Sequence, residues 1–378
     1  MKLGQVFDPR NNALNALRLA MAAEVILWHS FAVTGGVLPS AHIRQLLFGV
    51  GVDGFFAISG FLITASWLNN PQIRDYLVHR ALRILPGLYV CLAVTAFVVA
   101  PIGVAIQGGP ALKLLLSSAP FQYVVENAAI AVLKFDVGGT PTGVPVVGMW
   151  NGSLWTLIYE VLCYAGVAIL GLVGLATRRW TSAVVLALAV LLAACLPPMT
   201  FPGIWSNEQC IARFAIVFAA GALVYQWKHV IPARWSLVAL CVGIVALTGL
   251  LPDYRLVGAV PLAYAVIVSG ALVHNRYLRL PTDLSYGVYI YAFPVQQLLV
   301  IGGLGGTNPF VFAAIATIAT LPLAALSWFL IEKPALALKS RFKKKPVDAE
   351  LSEASRTSGH REDRQASTTA RSALRPPR

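Results

Sequence analysis

Apolar residues in this chain come in runs of about 17–25, the length a helix needs to cross the hydrocarbon of a bilayer. Polar residues gather in the intervals between them. Ten runs lie near residues 13–34, 46–68, 84–107, 154–176, 181–198, 211–227, 235–251, 258–275, 284–302 and 309–331. The pattern predicts an all-α, polytopic membrane protein of about ten transmembrane helices around a central polar cavity. The charges between the runs alternate. With the N-terminus in the cytoplasm, the cytoplasmic loops receive Arg74, Arg80 and Arg83, then Arg178 and Arg179, then Lys228 and Arg234, then Arg276 and Arg279, and finally the tail. The opposite loops receive Arg44, Lys113, Lys134 and Arg255, with Arg213 at a span entrance. Cationic residues favour the cytoplasmic side, and one missed or invented span would destroy the alternation. Both termini are therefore expected in the cytoplasm.

Two segments depart from this pattern. Residues 108–153 form the longest external stretch, and ALKLLLSSAPFQYVVENAAIAVLKF within it is apolar but broken by Lys113, Pro120 and Glu126. It is expected to be interfacial or re-entrant, and an ordered loop of that length often caps a binding site. Beyond the last span the chain turns polar, charged and poor in aromatics, so residues 1–335 form the expected transmembrane domain and 336–378 a disordered, basic cytoplasmic tail. The lysines at the start of the tail suit anionic lipid headgroups.

Composition agrees with a membrane class. Of the 378 residues, 57% are hydrophobic and 12% charged, against about 25% charged in a soluble domain. The net charge of +13 does not call for nucleic acid, because 12 of the 29 Lys and Arg lie from Lys333 onward and most others flank spans. The five cysteines sit in or beside apolar runs with no C-x-x-C pair. They read as small hydrophobes rather than a disulfide framework or a metal site. No cleavable signal peptide and no internal repeat is evident.

Ionisable groups inside apolar runs cost roughly 2.5–3.5 kcal/mol each on insertion scales, so they mark candidate chemistry. The first run, NALRLAMAAEVILWHSFAV, holds Arg18, Glu24 and His29. At about 100° per residue, His29 returns to within about 20° of Arg18, some 16 Å further along the axis, whereas Glu24 falls off that face. One channel lined by both is expected. A neutral His29 is suited to act as general base or as a transient acyl carrier. Arg80 and Arg83 share a helix face at the entrance of the third run, and a guanidinium fork matches phosphate oxygens. Asp53, in GVDGFFAISGFLIT, is expected to be paired with His29 or Arg44. Ser59 and Gly60 beside it read as a packing seam. In NGSLWTLIYEVLCY, Glu160, five residues after Trp155, is expected at the depth of His29, and a carboxylate can hold an imidazole tautomer. In SYGVYIYAFPVQQ, Tyr286, Tyr289 and Gln296 are candidate cavity-lining groups. Glu332 and Lys333 read as an interfacial pair.

Together these blocks resemble acyltransferase family 3, membrane proteins that O-acetylate cell-surface glycans. The resemblance spans about residues 10–335. It rests on Arg18 and His29 with ten residues between them, GVDGFFAISGFLIT, Arg80-Ala-Leu-Arg83, GSLWTLIYE (with Thr156 where Ser is usual), SYGVYIYAFP and WFLIEKP. Many members carry a His where this chain has Ala292, which leaves His29 as the imidazole for transfer. The short polar tail implies a form without an appended SGNH domain.

The resemblance implies acetyl-CoA as co-substrate, approaching from the cytoplasm with its phosphates near Arg18, Arg80 and Arg83. It implies a glycan or lipid-linked saccharide as acceptor in a bacterial inner membrane. His29, oriented by Asp53 or Glu160, would then carry the transfer, with Trp155, Tyr286 and Tyr289 at the substrate. A secondary transporter or flippase would also explain intramembrane Arg, Glu and His, and is the competing expectation.

Overall fold

A computed structural model of the chain describes residues 1–38, 40–199 and 205–339. Most of the expected tail, from residue 340, therefore lies outside the described residues. Met1–Ala337 form one compact unit. Among the described residues it is built of helices and loops, without strands.

Each of the ten predicted runs is helical. We number the long helices α1 (Leu14–Val33), α2 (Ala41–Asn69), α3 (Ile73–Ile106), α4 (Leu154–Leu172), α5 (Thr181–Cys195), α6 (Asn207–Gln226), α7 (Trp235–Thr248), α8 (Arg255–Leu272), α9 (Ser285–Ile301) and α10 (Pro309–Ala337). Seven of them (α1, α2, α3, α4, α6, α8 and α10) are long and apolar enough to cross a bilayer. At 15 and 14 residues, α5 and α7 are apolar but short, and α9 has 17 residues. A helix rises about 1.5 Å per residue, so these three reach less far than the roughly 30 Å of a hydrocarbon core. The structure thus supports a multi-pass membrane protein: seven of the ten helices are candidate spans by length and composition, and the other three are shorter.

Local chemistry explains where the helices begin. Ser40 caps α2 by accepting from the Ile43 amide at 3.3 Å. Ser206 and Gln209 cap α6 reciprocally, each side chain accepting from the other residue's amide. Asn308 accepts from the Phe310 amide, and Pro309 follows it at the first helical position. Prolines inside helices are tolerated in membrane bundles because neighbouring groups satisfy the freed carbonyls. Wider π-type turns interrupt α3 at Thr95–Val99 and α10 at Trp328–Glu332. The second buries Glu332 to 1% exposure and lets it accept from Ser327 at 2.9 Å. Glu332 is therefore an interior group and not half of an interfacial pair with Lys333.

The helices sort by what they touch. In the interior, α2 packs along α6, and α9 packs against α1 and α10. Peripheral α5 and α7 turn Val184, Leu188, Leu191, Leu240 and Leu247 outward, as lipid-facing helices do. The seam between α2 and α6 is a close backbone contact. A Cβ at Gly60 would lie 2.0 Å from the Phe218 carbonyl oxygen, and one at Gly221 would lie 1.9 Å from that of Ala57. The small-residue reading of the Ser-Gly pair thus holds for Gly60.

The stretch expected to be external, residues 108–153, is ordered but does not cross the unit. It contains two short helices, Ala111–Leu115 and Ala119–Asn127, and then a loop. Trp150 is buried and donates to Thr140 at 2.9 Å. Its ring occupies the space that a side chain at Gly103 of α3 would need. Gln297 of α9 donates to the Val146 and Met149 carbonyls, and Asn151 donates to that of Ile290. The loop thus clamps α9 against α3.

Gly60→Val forces two backbones apart where no flexible side chain can yield. It should destabilise the folded protein by about 1–3 kcal/mol, the usual range for overpacking. Thermal melting in detergent checks this. An unchanged midpoint would mean that the seam is looser than described.

Candidate active site

A cavity of about 80 Å³ lies among α1, α2, α3, α4 and α9. Arg18, Arg80, Arg83, Glu160, Tyr164, Tyr286 and Tyr289 line it. Three guanidiniums from two helices, those of Arg18, Arg80 and Arg83, therefore meet in one chamber. What makes this possible is Asp283, just before α9. One of its carboxyl oxygens accepts from Arg18 at 2.6 Å and also from Arg83. Its other oxygen accepts from the Ser285 hydroxyl at 2.5 Å. Burial pushes the Asp283 carboxyl up, but Arg18, Arg83 and Ser285 outweigh it and hold the group well below the usual carboxylate range. Asp283 was not among the residues expected from sequence. It sits in a short interval beside turn residues, where an aspartate reads as loop chemistry.

Arg80 is placed differently. It has no ion pair among the described residues, its guanidinium lies 5.7 Å from the centre of the Tyr164 ring, and its buried Nε has no hydrogen-bond partner there. Glu160 accepts from the Tyr164 hydroxyl and, at 3.4 Å, from Ser59. Ser59 thus faces the cavity while Gly60 makes the seam. The Tyr286 hydroxyl is taken up by the Ile84 carbonyl at 2.8 Å. Arg83 lies between the rings of Tyr286 and Trp328, at 5.9 and 6.0 Å.

His29 lines a second, smaller cavity of about 20 Å³, with Val25, Trp28, Trp155, Arg213 and Tyr289 among its walls. Arg18 and His29 therefore line two adjoining chambers rather than one open channel. Val52 and Tyr289 belong to both walls and form the partition. The Tyr289 hydroxyl is 2.6 Å from Thr156 Oγ1, and Phe55 rests edge-on against its ring at 5.9 Å. The His29 ring stands edge-on to Phe293 at 5.0 Å, and its buried Nδ1 has no partner among the described residues. Gln296 is a brace rather than a lining group. It donates to the Ile26 carbonyl and the Ser30 hydroxyl, both at 2.9 Å, and so fixes the turn of α1 that carries His29. Ala292, where many relatives were expected to hold a His, is buried in an apolar cluster with Phe312 and Ala316.

The expected carboxylate partner of His29 needs correction. Asp53 bonds neither His29 nor Arg44. It is fully buried, accepts from Arg213 at 2.9 Å through one oxygen, and accepts from Arg255 and the Tyr254 hydroxyl, each at 2.5 Å, through the other. Arg44 instead donates to the Leu38 carbonyl. Glu160 does not reach His29 either, because it faces Ser59 and Tyr164 in the arginine chamber. Arg213 and Arg255, counted from sequence as flanking charges, are each 1% exposed. For Arg213 the signal was present, since it lies seven residues into α6 with apolar residues on both sides.

Comparison with known proteins follows this geometry. Residues 11–329 match the acyltransferase domain family, Acyl_transf_3. The chain is similar to a protein named O-acetyl transferase from Shigella phage Sf6, at 26% identity over 88% of this chain and 98% of the relative. It is similar to nodulation protein 10 of Rhizobium leguminosarum bv. viciae, at 28% identity over 88% of this chain and 94% of the relative. It also matches the peptidoglycan O-acetyltransferase OatA of Listeria monocytogenes, at 23% identity over 75% of this chain and 51% of that protein. No solved structure matches.

Asp283→Asn removes the shared counter-charge of Arg18 and Arg83. Breaking a buried pair in this way costs about 3–5 kcal/mol, so the variant should melt well below the parent in detergent. The folded pKa of Asp283 is depressed. Its contribution is therefore complete above the unfolded carboxylate value of about 3.9 and lost as pH falls through the lower folded value. The stability gap between parent and variant should stay constant from about pH 8 to about pH 5 and narrow only in stronger acid. A gap that closes near neutrality would contradict the pairing.

Proposed function

We propose a function from one premise: the chain belongs to the acyltransferase 3 family and is a membrane O-acyltransferase. It takes an acetyl group from cytoplasmic acetyl-CoA and transfers it to a hydroxyl of an exported or cell-surface glycan, free or lipid-linked. Its place is a bacterial inner membrane, with both termini in the cytoplasm.

The observation that carries this reading is the pairing of two chambers across Tyr289 and Val52, one holding Arg18, Arg80 and Arg83 and the other holding His29. Arginine suits the phosphates of CoA because its planar fork donates two parallel hydrogen bonds. Arg18 and Arg83 already share Asp283, so Arg80 is the guanidinium with most capacity left for an incoming phosphate. Arg18 and His29 are about 16 Å apart along α1, of the order of an extended pantetheine arm. The thioester would pass the Tyr289 partition and meet the acceptor hydroxyl beside His29. Three relatives carry O-acetyltransferase names, two of them for peptidoglycan, which supports a glycan as the class of acceptor.

In this mechanism His29 takes the proton from the acceptor hydroxyl as its oxygen attacks the thioester carbonyl. The carbon–sulfur bond then breaks, and the proton passes to the departing thiolate. Trp155 gives the acceptor a flat apolar wall of the kind that sugar rings favour. Tyr286 and Tyr289 line the route of the donor. Glu160 belongs with the donor arginines rather than with the imidazole.

His29→Ala should lower acetyl transfer by at least the roughly 10²–10⁴-fold contribution of a general base, with membrane insertion intact. The readouts are acetyl-CoA consumption in membrane vesicles and ester content of the glycan by mass spectrometry. Retained transfer would contradict the assignment, and an acetylated His29 trapped without acceptor would replace the base by a carrier. Arg80→Ala and Arg83→Ala should chiefly raise the KM for acetyl-CoA. An effect confined to the acceptor would contradict the phosphate role.

A further inference from the structure

Arg213 is buried on α6, and only one edge of its guanidinium is in use. Its Nε donates to Asp53 at 2.9 Å, while Nη1 and Nη2 are buried without a hydrogen-bond partner among the described residues. Leaving donors of a cation unpaired in the interior is costly. Arg213 lines the His29 chamber, whose volume of about 20 Å³ has room for little more than one water-sized group. Its neighbours do not consume the free donors. Phe48 and Phe214 present ring faces at 4.7 and 4.9 Å. Glu24, also buried nearby, has neither carboxyl oxygen bonded among the described residues.

The support behind Arg213 is rigid. Asp53 is held at the same time by Arg255 and Tyr254, and Arg255 is held further by Asp253 at 3.0 Å. Asp53 is shared with Arg255 and takes up only the Nε edge of Arg213, so Nη1 and Nη2 stay unpaired among the described residues. A fixed guanidinium with unpaired donors in the wall of a small, water-poor chamber is the arrangement that stabilises an anion formed during reaction.

We infer that Arg213 is the oxyanion donor of acyl transfer. As the acceptor oxygen bonds to the thioester carbon, the carbonyl electron pair moves onto the carbonyl oxygen. The proton of the hydroxyl goes to His29. The Nη1 and Nη2 groups of Arg213 donate to the resulting oxyanion. When the carbonyl reforms, the carbon–sulfur bond breaks, and the thiolate leaves and takes the proton. Asp53 positions Arg213 and does not touch the substrate. This inference rests on the transferase reading of the His29 chamber. It also accounts for Asp53 without a bond to the imidazole.

The test uses the full chain in lipid nanodiscs, with acetyl-CoA and the more electron-poor fluoroacetyl-CoA as donors. Arg213→Gln should reduce kcat with acetyl-CoA by about 10²–10³-fold, the usual effect of deleting one oxyanion donor, and change the donor KM little. Fluoroacetyl transfer passes through a less basic oxyanion, so its loss should be clearly smaller. A purely structural role would depress both donors alike. Arg213→Lys keeps the charge beside Asp53 and supplies a folded comparison, and it should show a milder loss with the same donor dependence. Wild-type-like kcat in Arg213→Gln, or equal losses for both donors in either variant, would overturn the inference. His29→Ala run in parallel separates the two failures. If it is inactive while Arg213→Gln is fully active, only the role of Arg213 falls. If it retains turnover, the reading of the chamber itself falls.

Discussion

A guanidinium inside a bilayer needs a counter-charge, and this chain meets that need with two bridging aspartates. Asp283 lies between Arg18 and Arg83, and Asp53 lies between Arg213 and Arg255. Each carboxylate ties together helices far apart in sequence: α1 and α3 to the start of α9 in one case, and α6 and α8 to α2 in the other. Ion pairs withdrawn from water are expensive to break, because the partner left behind stays buried and unpaired. The two bridges therefore do more than neutralise charge. They fix which faces of six helices turn inward, and five of those helices line the two chambers.

Each bridge leaves donors over. Two arginines bound to one carboxylate use only part of their hydrogen-bonding capacity on it. On the Asp283 side the unused groups, with Arg80 beside them, form a cationic pocket suited to phosphate. On the Asp53 side Arg213, with Nη1 and Nη2 unpaired among the described residues, lines the chamber of His29. The same electrostatic requirement thus holds the fold together and supplies the chemistry. Between the chambers stands Tyr289, anchored on Thr156. In the proposed mechanism the donor thioester passes it to reach the imidazole.

How much of this was legible in the chain follows from the range of each interaction. Apolar run length gave the helices, since it is a local property. Helical phase put Arg18 and His29 on one face of α1, and they do turn toward neighbouring chambers. The partition between those chambers was not legible, because it depends on where α9 brings Tyr289 against α2. The partners of Asp53 were also out of reach, since Arg213 and Arg255 lie 160 and 202 residues away. The alternation of charge misled at this point. It counted both arginines as flanks, whereas the apolar stretch on both sides of Arg213, Cys210–Ala212 before it and Phe214–Ala220 after it, already argued for an interior group. Asp283 escaped notice because a carboxylate in a short loop carries no local sign that two guanidiniums will converge on it. The shortness of α5, α7 and α9 was hidden by apolar residues that continue past their ends.

The central claim is that the arginine chamber and the histidine chamber serve one substrate from its two ends. The most direct measurement is an experimental structure of the protein bound to a non-transferable acetyl-CoA analogue in a lipid nanodisc. The account predicts the phosphates against Arg80 and Arg83, the pantetheine arm running past Tyr289, and the acyl carbonyl beside His29. An analogue bound elsewhere, or one whose arm stops on the arginine side of a closed Tyr289 partition, would contradict it.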